Sequence, residues 1–274
     1  MEACYSPWAV HPIWHSPVPP FLGAAVEQLQ TFLLPFLATG NRRRHLQPLL
    51  LLSGASGSGK ATVVRSLGLC LSMHVYQVSC SDVLGDTAAA SEARMRTMLQ
   101  KANYFAPCIL HLKNINAIGQ EKGAVGDPRI MCSFSEIVRS LSGDGEEYPV
   151  VVIATTSSPN DLSQEIMSLF LHHVSLPYPN EEDRLHLLEA LLSSCPRSSS
   201  IDVAYFAQRT AGFVLGDLCA LVIQASMAAL RRFRAMGYVE KELNGHTVSS
   251  GSHLVLSRTL LPLSRLWKDN LTMC

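Results

Sequence analysis

The sequence predicts an α/β fold: a five-stranded parallel P-loop NTPase sheet with a small all-helical domain after it. Three observations carry the prediction. Strand-length apolar runs and helix-period segments alternate from Leu49 to Leu176, as in a parallel sheet covered on both faces. The first of these runs ends in a glycine-rich loop that leads into a helical pattern. Beyond Pro177 and Pro179 the pattern is helical only. The chain of 274 residues therefore divides into a leader or linker over 1–20, an α/β nucleotide-binding domain over 21–178, a helical domain over 179–240 and a divergent tail over 241–274.

The elements follow in order. Residues 1–20 hold five prolines and three aromatics without periodicity. Phe21–Leu37 reads as a helix with Leu22, Val26, Leu29, Phe32 and Leu33 at helical spacing, which Pro35 ends or kinks. Thr39–His45 is a polar loop containing the basic run Arg42–Arg44, read as solvated. Leu49–Ser53 is a buried strand. Ala61–Met73 is a helix with Val63, Val64, Leu67 and Cys70 inward, and His74–Cys80 is a strand. Ser91–Phe105 is a helix whose stripe is Met95, Met98, Leu99, Ala102 and Phe105. Cys108–Leu112, Val150–Ala154 and His172–Leu176 are strands, with helices over Ile130–Leu141 and near Asp161–Phe170. Phe134, Ile137, Val138 and Leu141 share one helix face, and Gly143–Tyr148 is an acidic loop. In the second domain Asn180 caps a helix with Glu181, Glu182 and Asp183 in its first turn and Leu185, Leu188, Leu191 and Leu192 inward. Asp202 caps a short helix to Thr210, and Gly216–Ala235 is a helix with Leu218, Leu221, Val222, Ala225 and Ala228 inward.

The chemistry sits at Gly54, Ala55, Ser56, Gly57, Ser58, Gly59, Lys60, Ala61 and Thr62. Gly54, four residues, Gly59 and Lys60 match the phosphate-binding P-loop up to its last position, where Ala61 replaces the usual Ser or Thr. The glycines let the backbone curl so that N–H groups point at phosphate oxygens, and the following helix adds its positive end. Lys60 adds a point charge for the outer phosphates, and burying it without phosphate would be costly. The implied ligand is a nucleoside triphosphate. Mg²⁺ is left open, because Ala61 has no hydroxyl to ligate it and Thr62 is rotated about 100° away along the helix.

Composition narrows the classes. Lys plus Arg and Asp plus Glu are 22 each, so no global positive field attracts nucleic acid or anionic membrane. The eight cysteines show no zinc-ligand spacing. Cys70, Cys80, Cys108, Cys132 and Cys219 sit in or beside apolar segments, as reduced core thiols do, which favours a reducing compartment. His111 lies in an apolar run and reads as a core or edge histidine. Neither a secretory leader nor an 18-residue apolar span is expected.

Thr210–Val222, TAGFVLGDLCALV, resembles the lid motif of AAA ATPases, in which Thr-x-Gly-Phe-x-x-x-Asp-Leu opens the third lid helix. VVIATT, Val151–Thr156, resembles the strand leading to sensor 1 in the same family. Together with the P-loop these parts fall in the family's order over roughly Pro19–Gly237. AGFVLGDLCALV, ATTSSPNDL and RLHLLEALL resemble the first, degenerate ATPase domain of the family's peroxisome-biogenesis branch. The resemblance implies a helical lid and adds Ser157, in the sensor 1 place, and Gly216 to the residues expected near nucleotide. It further implies a hetero-hexamer with a sister peroxisomal AAA ATPase (the type-one peroxin) and a membrane-anchored tether. The complex would act on the ubiquitinated matrix-protein import receptor, from the cytoplasm and the cytosolic face of the peroxisomal membrane. No nucleic-acid partner is implied.

The departures from the family decide the chemistry expected. In an active member the third strand ends in Asp-Glu, the Asp holding Mg²⁺ through water and the Glu polarising the attacking water. Here Lys113 and Asn114 stand there. Losing a positioned general base costs about 10²–10⁴-fold in rate. Leu169–Val174, where arginine fingers are expected, contains no arginine, and the pore-loop stretch Val83–Ser91 lacks an aromatic–aliphatic pair. The module is expected to bind ATP for ring assembly with little hydrolysis. The alternatives are an active AAA ATPase or a different P-loop enzyme such as a small-molecule kinase. The tail, Ser252–Cys274, is expected to diverge from the family near Arg258, with Pro262 breaking any long helix.

Overall fold

The computed structural model describes residues 3–5, 20–38, 49–119, 128–140, 150–193 and 201–235. The polar loop with Arg42–Arg44, Leu141, the acidic loop Gly143–Tyr148 and the tail over 241–274 lie outside the described residues. The chain divides into two compact units, Met1–Pro177 and Tyr178–Cys274.

In the first unit β1 (Ala3–Tyr5) precedes α1 (Gly23–Ala38), which a single 3₁₀ turn at Pro20–Leu22 introduces. Then follow β2 (Leu49–Gly54), α2 (Lys60–Leu71), β3 (His74–Ser79), α3 (Cys80–Val83) and α4 (Ala88–Tyr104). The unit continues with β4 (Cys108–Lys113), α5 (Asn116–Gly119), α6 (Pro128–Ser140), β5 (Val150–Thr156), α7 (Gln164–Leu169) and β6 (His172–Leu176). The sheet order is β1-β3-β4-β5-β2-β6. Five strands are parallel, as the apolar runs predict. The sixth is an addition: within the stretch expected to be a leader or linker, Ala3–Tyr5 pairs antiparallel with β3 at its outer edge. Three residues bounded by aperiodic sequence carry no alternation long enough to reveal a strand.

The sheet has two buried faces. Leu49, Leu51, Leu110, Leu112, Val152 and Ala154 pack with Met95, Met98, Leu99 and Ala102 of α4 and Phe134 and Val138 of α6. The alternate residues face α2, which buries Val63, Val64 and Leu67. A Cβ at Gly68 would run into Val75 Cγ2 and the Met73 carbonyl, and Ile109 Cδ1 lies just beyond. Gly68 therefore lets α2 sit close over β3 and β4, and Ser66 and Gly68 turn inward with the leucines. Cys70 is consequently exposed, not inward, and Cys132 is exposed too, which leaves Cys80 and Cys108 as the buried thiols of the five. Pro35 neither ends α1 nor prevents its last turn, since the helix runs on to Ala38.

The second unit holds α8 (Glu181–Ser193), α9 (Val203–Arg209) and α10 (Leu215–Ala235). Asn180 and Asp183 cap α8 reciprocally: Asp183 N–H donates to Asn180 Oδ1 at 2.7 Å and Asn180 N–H to Asp183 Oδ2 at 3.0 Å. Asp202 Oδ1 accepts from the N–H groups of Ala204 and Tyr205 and caps α9. The buried face of α8 is Arg184, Leu187, Leu188, Leu191 and Leu192, so Leu187 replaces the expected Leu185 and an arginine joins it. On α10 Leu218 and Ala225 are buried as expected, with Ala229, while Leu221, Val222 and Ala228 are half-buried.

Candidate functional site

β2 is wholly apolar until Ser53, and Gly54 ends it beside β6. A Cβ at Gly54 would sit 3.0 Å from both Leu176 Cβ and Ser58 Oγ, so the close approach of loop and strand needs glycine. Gly57 (φ 79°) and Gly59 (φ 98°) take left-handed conformations. Gly59 is the N-cap of α2 and no side chain caps it, so the first-turn N–H groups of Lys60, Ala61 and Thr62 are free to face an anion. Ser58 is 2% exposed, and its hydroxyl has no partner among the described residues. This cradle, with an orphaned buried hydroxyl beneath it, fits phosphate groups.

Lys60 Nζ donates to the carbonyls of Gly54 at 2.6 Å and Ala55 at 2.8 Å. Burial holds its ammonium below the usual lysine value. The expectation that Lys60 needs phosphate to tolerate its surroundings is thereby corrected: the loop's own carbonyls satisfy it. A phosphate would compete with them for the same cation.

Strand register assembles the rest. Ser53 pairs with Thr156, and Thr155 pairs with Lys113. The ends of β2, β5 and β4 therefore lie side by side, and with them the P-loop, Ser157 and Lys113–Asn114. Ligands bind at this carboxyl edge in open α/β sheets. Ser157 is exposed. Asn114 is exposed and left-handed (φ 55°), a conformation its short amide tolerates in the turn into α5. Asn116, which the sequence reading missed, ties the edge together. Its amide donates to Ser158 O at 2.9 Å, and its Oδ1 accepts from Thr156 Oγ1. Gly216 is exposed in the first turn of α10, in the second unit.

The donor set does not fit Mg²⁺. Ala61 offers no side-chain oxygen, Lys113 is a cation where a carboxylate would be needed, and Asn114 is neutral. Among the described residues no group of three or more His, Cys, Asp or Glu could hold a metal.

His111 lies two residues before Lys113 on the same face of β4 and is 1% exposed. Its Nε2 meets Thr155 Oγ1 at 3.3 Å, and Nδ1 has no partner among the described residues. Burial first, and the Lys113 charge second, push its pKa down to about 3. The sign follows from linkage. Between about 3 and 6.5 the unfolded chain binds a proton here and the folded chain does not, so acid favours unfolding in that window. At pH 5 the penalty is about 2 kcal/mol. Urea unfolding at pH 7 and pH 5 should show this loss in the parent and not in His111→Leu; equal losses in both would place the titration elsewhere.

The Val83–Ser91 and Leu169–Val174 stretches both belong to the first unit. Leu171 is exposed, His172 stacks on Phe32 with ring centroids 4.1 Å apart, and His173 Nε2 meets Phe170 O at 3.2 Å. No arginine lies there. In the Val83–Ser91 stretch Gly85 N–H donates to Ser91 Oγ at 2.9 Å, and Thr87 caps α4. The motif opening α10 is a set of turn locks. Thr210 Oγ1 donates to Phe206 O at 2.9 Å, Gly212 takes φ 82°, and Asp217 Oδ2 accepts from Val214 N–H at 3.1 Å.

A parallel sheet with a glycine cradle and lysine at the carboxyl end of β2 defines a P-loop nucleotide-binding protein. The chain belongs to the AAA ATPase family. Residues 50–178 match the model of the ATPase family associated with various cellular activities, and residues 200–243 match the AAA+ lid domain. It is 32% identical over 246 residues to Peroxisomal ATPase PEX6 of Rattus norvegicus, covering 89% of this chain and 25% of that protein. The same protein of Homo sapiens is 32% identical over 226 residues, covering 82% and 23%. The chain thus spans about a quarter of the length of these relatives. A chain from a solved structure on katanin self-assembly superposes with a TM-score of 0.61 at 25% identity, covering 76% of this chain and 69% of that one. The family match removes the small-molecule kinase from the alternatives.

Proposed function

We propose that this chain is an ATP-binding AAA module of a peroxisome-biogenesis ATPase that holds nucleotide for ring assembly and hydrolyses little of it. The observation that carries this reading is Lys113–Asn114 at the end of β4, where an active site would place Asp-Glu, beside an intact phosphate cradle. The absence of arginine between Leu169 and Val174 supports the same reading.

The similarity to PEX6 supports the setting. The module would work in a hetero-hexamer with a sister peroxisomal AAA ATPase, near a membrane-anchored tether at the cytosolic face of the peroxisome. The complex would export and recycle the ubiquitinated import receptor. Among the described residues no helix is long and apolar enough to cross a membrane.

Steady-state phosphate release with saturating ATP, measured beside equilibrium binding of a labelled ATP analogue, tests the reading. Binding with turnover at background is expected. Readily measured hydrolysis by the chain alone would overturn it in favour of the active AAA ATPase.

A further inference from the structure

We propose that this site binds nucleotide without a metal ion, with the Lys113 ammonium supplying the positive charge that Mg²⁺ supplies elsewhere. The inference rests on the ATP-binding reading above and deepens it.

Cys108, Leu110 and Leu112 of β4 face α4 and α6. Ile109 lies under Gly68 of α2, so alternation puts His111 and Lys113 on the α2 face. α2 begins at the carboxyl edge of β2 and runs back over that face. Lys113 is the last residue of β4 at that edge. Its side chain and the N-terminus of α2 therefore share one corner of the sheet. Only β5 separates β4 from β2, a backbone separation of roughly 10 Å. Strand side chains stand roughly perpendicular to the sheet, so the long lysine stem carries its ammonium out over the face that the α2 N-terminus also covers.

Lys113 is half-buried, and no acidic side chain pairs with it among the described residues. His111, two residues earlier on the same face of β4, lies close enough for the Lys113 charge to disfavour its protonation. Two cations, Lys60 and Lys113, thus flank the cradle, and among the described residues β2, β4 and β5 themselves hold no carboxylate to offset them. A divalent cation would meet repulsion there, whereas triphosphate oxygens would meet two donors.

The test is equilibrium binding of a fluorescently labelled ATP analogue to the full chain, with excess Mg²⁺ or with excess chelator. Chelation should change affinity by less than about twofold. Lys113→Met, which keeps the stem and removes the charge, should weaken binding by about tenfold or more, and Lys113→Arg should largely restore it. An affinity that drops tenfold in chelator would overturn the inference, and this arm needs no variant to fold. So would a Lys113→Met chain that binds like the parent while Lys60→Ala does not. If Lys60→Ala itself binds like the parent, the nucleotide reading fails, which is a different outcome from failure of the metal-free inference.

Discussion

Replacing Lys60 by alanine is expected to lower affinity for a labelled ATP analogue by about 100-fold while leaving the thermal midpoint within a few degrees of the parent. The first half follows from position. The ammonium is already held over the loop by the Gly54 and Ala55 carbonyls, so phosphate gains a cation whose side chain is largely ordered before binding. A hydrogen bond to a charged group contributes about 1.5–3 kcal/mol, which is roughly 10–100-fold in affinity, and an outer phosphate has room for more than one such bond. Without Mg²⁺ ligands at Ala61 or Lys113, a larger share of the phosphate charge falls to Lys60. The second half follows from exposure. Gly54 and Ala55 are only half-buried, so water can replace Lys60 on their carbonyls. Fluorescence polarisation for binding and a melting curve for folding separate the two. Unchanged affinity in a folded variant would remove the phosphate-cradle reading.

The same site shows what a single chain of letters can and cannot disclose. The P-loop was legible because its geometry is local: left-handed glycines at 57 and 59 and a lysine at the first helical position specify the cradle within seven residues. The lid motif was legible for the same reason, since Thr210, Gly212 and Asp217 each act on backbone a few residues away. The strand order was not, because pairing of Ser53 with Thr156 joins residues about a hundred positions apart. Asn116 escaped notice because its partners, Thr156 and Ser158, are brought to it only by that pairing. Cys70 was misplaced because helical spacing alone does not fix which stripe turns inward. Gly68, by letting α2 approach Val75 and Met73, rotates Ser66 into the core and Cys70 out of it.

Arg184 is the clearest case of a residue whose role only packing discloses, and its removal is the second large effect expected. Charge suggests a solvated position in an acidic first turn, yet Arg184 is 7% exposed. It heads the stripe that continues through Leu187, Leu188, Leu191 and Leu192. Its Nε donates to Ala207 O at 3.0 Å and its Nη1 to Pro179 O at 2.9 Å. One guanidinium thus joins the entry of α8 to the last turn of α9, and its fixed planar geometry lets it reach both carbonyls at once. Arg184→Ala leaves two carbonyls short of a buried donor and opens a cavity beneath α8, for an expected loss of about 3 kcal/mol in the second unit. Arg184→Lys should recover only part of it, because an ammonium is a point donor that cannot hold the same two acceptors in the guanidinium's spacing. Amide hydrogen exchange localises the effect: protection should fall across α8 and α9, while β2 and β4 of the first unit keep theirs. An alanine variant with the parent's protection in α8 and α9 would show that leucine packing alone holds this helix pair, and that the buried charge is merely tolerated there.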